Sequence, residues 1–285
     1  MPAWHEKPTM RRVALLAALA ASSLAAQDWA IAKLSKSPRH REWVTVKHDG
    51  REIGCYVGYP EVKNKATAVL VIHEIYGLTD WARSVVDELA EAGYIAIAPD
   101  LLWGLGAKGG GTSELTSSEI GQKIGELTKN HADQITADLN AAADYVAKLD
   151  AGNGKLAVIG FCWGGNQSFR YATNNKNLQA AFVCYGIGPT DAADLARIAC
   201  PVLGFYGGND ARVTATTAKS AELMQAAGKH YEPAVYEGAG HGFMRAGDAP
   251  PPAADADPKT LAAYAANKKA HDAAWAAVKD LLGKL

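Results

Sequence analysis

A cysteine flanked by glycines follows a short apolar run, in the segment Gly160-Phe161-Cys162-Trp163-Gly164-Gly165. This is the G-x-S-x-G pattern of a nucleophile elbow, with cysteine in place of serine. The turn is so sharp that Cβ atoms beside the nucleophile would collide, which explains the glycines. The sulfur would lie at the N-terminus of the next helix, where free N–H groups favour a thiolate and a developing oxyanion. The pattern predicts nucleophilic catalysis by Cys162; the alternative is a turn with a buried, inert thiol.

Two further residues follow predicted strands and could complete a catalytic triad. Asp210 comes shortly after Val202–Tyr206, and His241 comes shortly after Tyr231–Tyr236. The resulting chain order of nucleophile, acid and base is the order found in α/β-hydrolases. Each residue also has an ordinary interpretation, Asp210 as a turn residue or helix cap and His241 as a loop histidine. All three in this order favour a triad, in which His241 is the base and Asp210 orients it.

Alternating strands and helices must position these residues. Strands separated by helices imply parallel βαβ units, so the sequence predicts one doubly wound, mostly parallel sheet with helices on both faces. In such a sheet, the loops after the strands meet at the carboxyl edge, where ligands bind. The predicted strands are Trp43–Lys47, Glu52–Tyr59, Ala68–Ile72, Tyr94–Ala98, Lys155–Phe161, Ala180–Tyr185, Val202–Tyr206 and Tyr231–Tyr236. The predicted helices include Asp80–Ala92, Gly164–Ala172, Thr214–Ala227 and Thr260–Leu285.

From about residue 40 to residue 283, the sequence resembles the dienelactone hydrolase family of the α/β-hydrolase superfamily. The matching motifs are His73-Glu74-Ile75-Tyr76-Gly77, Gly160–Gly165, Gly207–Asp210 and Gly240–Arg245. The resemblance implies an α/β-hydrolase fold and a cofactor-free hydrolase of lactones or small carboxylic esters that forms an acyl-thioester. It assigns Cys162 as nucleophile, His241 as base and Asp210 as its orienter. It also implies an oxyanion hole made by the backbone N–H groups of Trp163 and Ile75.

An acidic residue, Glu74, stands directly after the predicted strand Ala68–Ile72 and His73. A carboxylate at such a position is costly unless it has a partner. The resemblance implies that Glu74 lies by the thiol and pairs with Arg245. An anionic ligand that competes for Arg245 would then free Glu74 to take the thiol proton. The alternative is an ordinary loop carboxylate.

The sequence departs from the family in the residues that would hold the substrate. Members that cleave dienelactone itself bind its carboxylate with two arginines, one in the region before the elbow strand, but no arginine occurs here between Arg83 and Arg170. The sequence therefore favours a hydrolase of this family but not dienelactone as its substrate. Trp103 and Tyr185 are candidate pocket residues, although Trp103 could instead pack under the Gly-rich loop. Lysines that could substitute, without the bidentate fork of arginine, are Lys108, Lys123 and Lys129.

Composition and the remaining motifs limit the classes of ligand and cofactor that the protein is expected to bind. The 29 basic and 30 acidic residues give a net charge of −1, so nothing drives general nucleic-acid binding. The absence of H-x-x-x-H and C-x-x-C gives no sign of a metal, and Gly104–Gly111 lacks the Lys-Ser/Thr of a P-loop. We expect no metal, no cofactor and a small-molecule partner; nothing indicates the oligomeric state. Cys184 and Cys200 could form a disulfide in an oxidising compartment, but inert buried thiols are favoured.

The first 26 residues have the pattern of a secretory signal peptide. Arg11 and Arg12 precede an uncharged Ala- and Leu-rich run that ends at Ala26. The run is too short for a comfortable membrane span, so no stable membrane anchor is expected. The alternative is an N-terminal core or amphipathic helix. We therefore predict export to the periplasm or the medium, with residues 27–285 as one hydrolase domain. An exported, non-catalytic ligand-binding protein on the same scaffold is the alternative function.

Overall fold

One eight-stranded sheet organises the computed structural model, which describes residues 28–247 and 249–285; the predicted signal peptide lies outside the described residues. The strand order is β1-β2-β4-β3-β5-β6-β7-β8. The six strands β3 to β8 are all parallel to one another. The strands β1 and β2 form an antiparallel hairpin, and β2 pairs antiparallel with β4 at the edge of this parallel sheet. The strands are β1 (Arg41–His48), β2 (Arg51–Gly58), β3 (Ala66–Ile72), β4 (Ile95–Pro99), β5 (Gly152–Phe161), β6 (Leu178–Cys184), β7 (Val202–Gly207) and β8 (Tyr231–Tyr236).

Helices cover both faces of the sheet, which confirms the predicted doubly wound architecture. The helix α1 spans residues 28–36. The other helices are α2 (Asp80–Glu91), α3 (Ser117–Asn130), α4 (Ala132–Ala147), α5 (Trp163–Asn174), α6 (Ala192–Ala196), α7 (Ala211–Thr214), α8 (Thr217–Ala226) and α9 (Pro258–Leu282). The helix predicted over Thr214–Ala227 is α8, which begins at Thr217, and the separate short helix α7 begins directly after Asp210.

Alternation along the central strands explains how two cores form on one sheet. In β3, Val69 and Val71 belong to the core under α2 and α9, while Leu70 and Ile72 belong to the core under α3, α4 and α5. Every residue of β3 is buried. A strand covered on both faces must be apolar at consecutive positions, and this requirement produces the unbroken apolar run in the sequence.

The carboxyl ends of the parallel strands collect the residues that the sequence singled out. The strands β3, β5 and β6 lead into Glu74, Cys162 and Tyr185, and β7 and β8 lead into Asp210 and His241. Because these strands are parallel neighbours, the five residues lie along one edge of the sheet, as predicted.

All four cysteines are free thiols. Cys184 ends β6 at the carboxyl edge, whereas Cys200 precedes β7 at the opposite edge; Ala181 is the β6 residue that pairs with Val202. Two cysteines at opposite ends of parallel neighbours are too far apart for a disulfide. The favoured interpretation of both as buried thiols therefore agrees with the structure. Within residues 28–247 and 249–285, no helix is long and apolar enough to cross a membrane.

Candidate active site

Cys162 occupies a strained turn between β5 and α5. Its φ of +54° is a conformation that L-residues rarely adopt. The neighbouring glycines make the turn possible, because a Cβ at Gly160 would overlap the carbonyl of Gly164, and a Cβ at Gly164 would overlap the carbonyl of Ile72. The backbone N–H of Cys162 donates to the carbonyl of Cys184 (3.0 Å), which ties the turn to β6. The local geometry is that of a nucleophile elbow.

The thiol of Cys162 is protonated in the free protein. Burial, followed by the negative charge of Glu74, raises its pKa to about 11. Hydrogen bonds from the backbone N–H groups of Trp163 and Ile75, together with the charge of Arg245, lower the pKa but do not outweigh these causes. The position of Cys162 at a helix N-terminus predicts N–H groups that favour a thiolate, but burial opposes them and has the larger effect on the pKa. The same two N–H groups are suited to hold an oxyanion on an atom bonded to the sulfur.

Asp210 and His241 form a hydrogen-bonded pair. Nδ1 of His241 lies 2.5 Å from Oδ2 of Asp210. Asp210 is buried, whereas about a third of the His241 side chain is exposed. The carboxylate therefore fixes the orientation of the imidazole and favours the tautomer with the proton on Nδ1, which leaves Nε2 free to act as a base.

Glu74 and Arg245 form a buried ion pair beside the thiol. Oε2 of Glu74 accepts a hydrogen bond from Nε of Arg245 (2.8 Å), and Nη2 of the same guanidinium lies 2.6 Å from that oxygen. Burial lowers the pKa of Arg245, but the adjacent Glu74 carboxylate more than compensates and the pKa is raised overall. The guanidinium also lies over the rings of Tyr76 (5.1 Å) and Trp81 (5.9 Å). The contact between Glu74 and Arg245 is the one the resemblance implied.

Tyr185 connects the two polar pairs. Its hydroxyl donates a long hydrogen bond (3.4 Å) to Oε1 of Glu74, and its ring centroid lies 4.9 Å from that of His241. Tyr185 is fully buried and lies between Glu74 and His241, in contact with both. Its φ of +41° is a second strained conformation at the same edge.

A cavity of about 360 Å³ opens beside the Glu74–Arg245 pair. Hydroxyl groups and apolar side chains make up most of its wall, and Arg245 is the one cationic residue among the described residues that line it. The lining also contains two carboxylates, Glu74, which is paired with Arg245, and Asp80, which is paired with Arg83. The lining residues are Glu74, Tyr76, Thr79, Asp80, Trp81, Thr112, Ser113, Leu115, Ser117, Ile120 and Arg245.

Other residues predicted for the pocket lie elsewhere. Trp103 packs over Gly54 of β2 and beside Trp43, and it lines a separate cavity of about 330 Å³ that shares Ser113 with the first. Trp163, assigned only a backbone role, directs its indole away to Oγ1 of Thr128, to which it donates a hydrogen bond (2.7 Å). Lys108, Lys123 and Lys129 do not line the cavity beside Glu74.

Three polar residues that sequence reasoning left without a role lie next to the site. The ring of the buried His73 contacts the carbonyl of Glu74 through Nδ1 (2.8 Å) and accepts from the N–H of Leu101 through Nε2 (3.3 Å). Asp100 is hydrogen-bonded to Thr112, one of the residues that line the cavity. Asp100 directly follows the buried strand β4, as His73 follows β3, so position after a strand was a usable signal.

No group of three or more metal-ligating side chains occurs in the part of the chain that the structure describes.

Comparison with known proteins gives the family. The dienelactone hydrolase family matches residues 53–285. A Yersinia pestis protein, to which carboxymethylenebutenolidase activity is ascribed, is 33% identical over 211 residues, covering 70% of this chain and 77% of that one. Carboxymethylenebutenolidase 1 of Cupriavidus pinatubonensis is 30% identical over 175 residues, 60% of this chain and 72% of that one.

A solved structure shows the same fold. A dienelactone hydrolase-like promiscuous phosphotriesterase from metagenomic libraries superposes with a TM-score of 0.69 at 22% identity. The match covers 87% of this chain and 98% of the other. The parallel sheet, the elbow and the family match agree, and the chain therefore belongs to the dienelactone hydrolase family and is a hydrolase of the α/β-hydrolase fold.

Proposed function

We propose that the protein hydrolyses small carboxylic esters and lactones through a thioester on Cys162. The observation that carries the proposal is the Cys162 thiol, held at a strained elbow with the backbone N–H groups of Trp163 and Ile75 directed at it. The Asp210–His241 pair at the same sheet edge supplies an oriented base. The relatives named carboxymethylenebutenolidase support the same class of reaction.

The first half-reaction forms the thioester. The sulfur of Cys162 attacks the carbonyl carbon, and the backbone N–H groups of Trp163 and Ile75 stabilise the oxyanion. The intermediate collapses, the C–O bond to the alcohol breaks, and the base that took the thiol proton gives it to the leaving oxygen. In the second half-reaction, His241 takes a proton from water, the resulting hydroxide attacks the thioester, the C–S bond breaks, and the leaving sulfur regains a proton from His241.

A neutral thiol must lose its proton before or during attack. Since the charge of Glu74 raises the pKa of the Cys162 thiol, the carboxylate is close enough to the sulfur to interact with it electrostatically. An anionic group on the ligand would compete for Arg245 and leave Glu74 free to accept the thiol proton. For a substrate without such a group, His241 is the base.

The lining of the cavity favours uncharged esters and lactones. The cavity of about 360 Å³ has one guanidinium among its described lining residues, and this group is already paired with Glu74. A substrate carboxylate therefore has one partner, and that partner must be taken from Glu74. Hydroxyl groups on the wall can instead bond to the uncharged oxygens of an ester or a lactone.

Trapping the acyl group tests the proposal. The wild-type protein is mixed with a library of aryl esters and lactones, with and without a carboxylate, and the peptide that contains Cys162 is analysed by mass spectrometry. We expect an added acyl mass on Cys162 and no turnover by Cys162→Ala, while Cys200→Ala is the matched control and turns over normally. Turnover retained by Cys162→Ala would overturn the mechanism. A wild type that binds library members without cleaving any would indicate a ligand-binding protein.

We also propose that the protein is exported, because Arg11 and Arg12 precede the uncharged run that ends at Ala26. N-terminal sequencing of protein recovered from the periplasm and the medium tests this. Recovery in the cytoplasm alone, with the first residues intact, would contradict the proposal.

A further inference from the structure

A short turn after β3 carries two functional groups of the proposed site. Glu74 supplies the carboxylate, and Ile75 supplies one of the two backbone N–H groups directed at the thiol. The turn closes on itself, because the N–H of Gly77 donates to the carbonyl of Glu74 (3.1 Å). The side chain of Ile75 is 41% exposed, so apolar packing does little to hold this residue in place.

A threonine from a distant loop holds the end of this turn. Oγ1 of Thr112 accepts a hydrogen bond from the backbone N–H of Leu78 (2.9 Å). The Thr112 side chain also lies flat on Gly77, whose φ is +76°; a Cβ at Gly77 would overlap the threonine. Thr112 therefore fixes both the position and the direction of the turn that carries Ile75.

Asp100 in turn holds Thr112. Its Oδ2 accepts from the backbone N–H of Thr112 (2.7 Å), and its Oδ1 accepts from the Thr112 hydroxyl (2.8 Å). Asp100 directly follows β4 and is buried, so the sheet itself anchors it. Gly111 allows this approach, because a Cβ there would overlap the carboxylate. The hydroxyl of Thr112 has one proton, which it donates to Asp100, and its lone pair is thereby aimed at Leu78.

We propose that Asp100 and Thr112 are positioning residues that set the Ile75 oxyanion donor through the turn from Glu74 to Leu78. This inference rests on the proposed function, since it concerns the oxyanion hole of that reaction. The two residues act through Ile75, so their effect belongs to the transition state. A donor displaced by about 1 Å can cost about 100-fold in rate while substrate binding changes little.

Three variants test the role of Thr112. Thr112→Val keeps the shape but removes the hydroxyl, and Thr112→Ser keeps the hydroxyl. Thr116→Val is the matched control: Thr116 lies in the same segment, but its hydroxyl caps α3 by bonding to Glu119. We expect Thr112→Val to lower kcat at least tenfold with less than threefold change in KM. Thr112→Ser should keep at least a third of wild-type kcat, and Thr116→Val should keep wild-type kcat.

A trifluoromethyl ketone gives a readout that a purely structural role would not move. The Cys162 sulfur adds reversibly to its carbonyl carbon, the thiol proton passes to the base, and the carbonyl electron pair becomes an oxyanion between the two N–H groups. We expect Ki for this compound to rise in Thr112→Val by the same factor by which kcat falls. Ki in Thr112→Ser should stay within threefold of wild type.

The outcomes that overturn the inference are distinct from those that overturn the proposed function. A kcat of Thr112→Val within threefold of wild type, equal losses in the valine and serine variants, or a loss confined to KM would overturn it. If Thr112→Val does not fold, Thr112→Ala replaces it; failure of both to fold would make the pair a support of the fold and also overturn the inference. A wild type inactive on every ester and lactone would instead defeat the proposed function.

Discussion

Arg245 places two nitrogens, Nε and Nη2, on a single oxygen of Glu74, at 2.8 and 2.6 Å. The other oxygen of Glu74 is left to the distant hydroxyl of Tyr185 (3.4 Å). The guanidinium thus neutralises the carboxylate without using all of its hydrogen-bonding capacity. Since Glu74 is almost fully buried, the two residues depend on each other for their charges.

Replacing Arg245 with Gln should destabilise the protein. The substitution leaves the Glu74 carboxylate buried without a cation, and loss of one partner of a buried pair costs about 3 kcal/mol. The double variant Glu74→Gln with Arg245→Gln should recover part of that loss. Urea unfolding of the wild type, Arg245→Gln and the double variant measures these differences in the free energy of unfolding. Lys219→Gln, which breaks an exposed pair with Glu222, is the control and should cost less than about 1 kcal/mol; an equally small effect at Arg245 would contradict the prediction.

Replacing Glu74 with Gln should make the Cys162 thiol more reactive while it slows turnover. The charge of Glu74 is the second cause, after burial, that raises the thiol pKa to about 11. Without it the pKa falls, and at pH 8 each unit of decrease gives about tenfold more thiolate and faster alkylation by iodoacetamide. The alkylation rate of Cys162, followed by mass spectrometry from pH 7 to pH 11, measures the shift.

The same titration also tests the wild type. Its alkylation rate should keep rising with pH towards about 11, because the folded thiol stays protonated below that value. An alkylation rate already at its plateau near neutral pH would refute the prediction and the role of Glu74 as a base. Glu232→Gln, in an exposed pair with His230, is the control and should leave the titration unchanged.

Chain order and strand position were sufficient to predict which loops meet at the site. Asp210 and His241 follow neighbouring parallel strands, so their contact follows from the topology alone. The Glu74–Arg245 contact required the family resemblance, because the sequence has no periodic signal that relates β3 to the segment after His241. For Glu74 itself, the residue type indicated only that a buried carboxylate needs a partner, not which residue the partner is.

The walls of the cavity could not be predicted in the same way. Thr112 lies in an irregular Gly-rich segment, and its contact with Leu78 depends on the path of that segment, which no pattern in the sequence specifies. Trp103 follows β4, but its ring packs on β2, where Gly54 has no Cβ to exclude it, and it lines a different cavity. The raised pKa of the Cys162 thiol could not be predicted from the sequence either, since its main cause is burial, and burial depends on packing from several elements.

Replacing Asp210 with Asn should abolish most of the activity and little of the stability. The amide keeps the size of the carboxylate but no longer favours the His241 tautomer that leaves Nε2 free as a base. We expect kcat to fall by about 10³-fold or more, with the unfolding temperature changed by only a few degrees. Steady-state kinetics and thermal unfolding measure the two effects. Asp257→Asn at the N-cap of α9 is the control, and a kcat within tenfold of wild type for Asp210→Asn would argue against the triad.

Two glycine-to-alanine substitutions should have opposite effects on stability. A Cβ at Gly164 would overlap the carbonyl oxygens of Ile72 and His73, both of them backbone atoms that cannot rotate away. The end of β3 would have to shift, so Gly164→Ala should cost at least about 2 kcal/mol and should lower kcat through displacement of Glu74 and Ile75. Gly121, in the exposed part of α3, has open space around its Cβ position, and Gly121→Ala should stabilise the protein by about 0.5–1 kcal/mol. Urea unfolding and ester hydrolysis of both variants measure this, and a Gly164→Ala protein as stable and active as Gly121→Ala would show that the elbow does not need the close approach of α5 to β3.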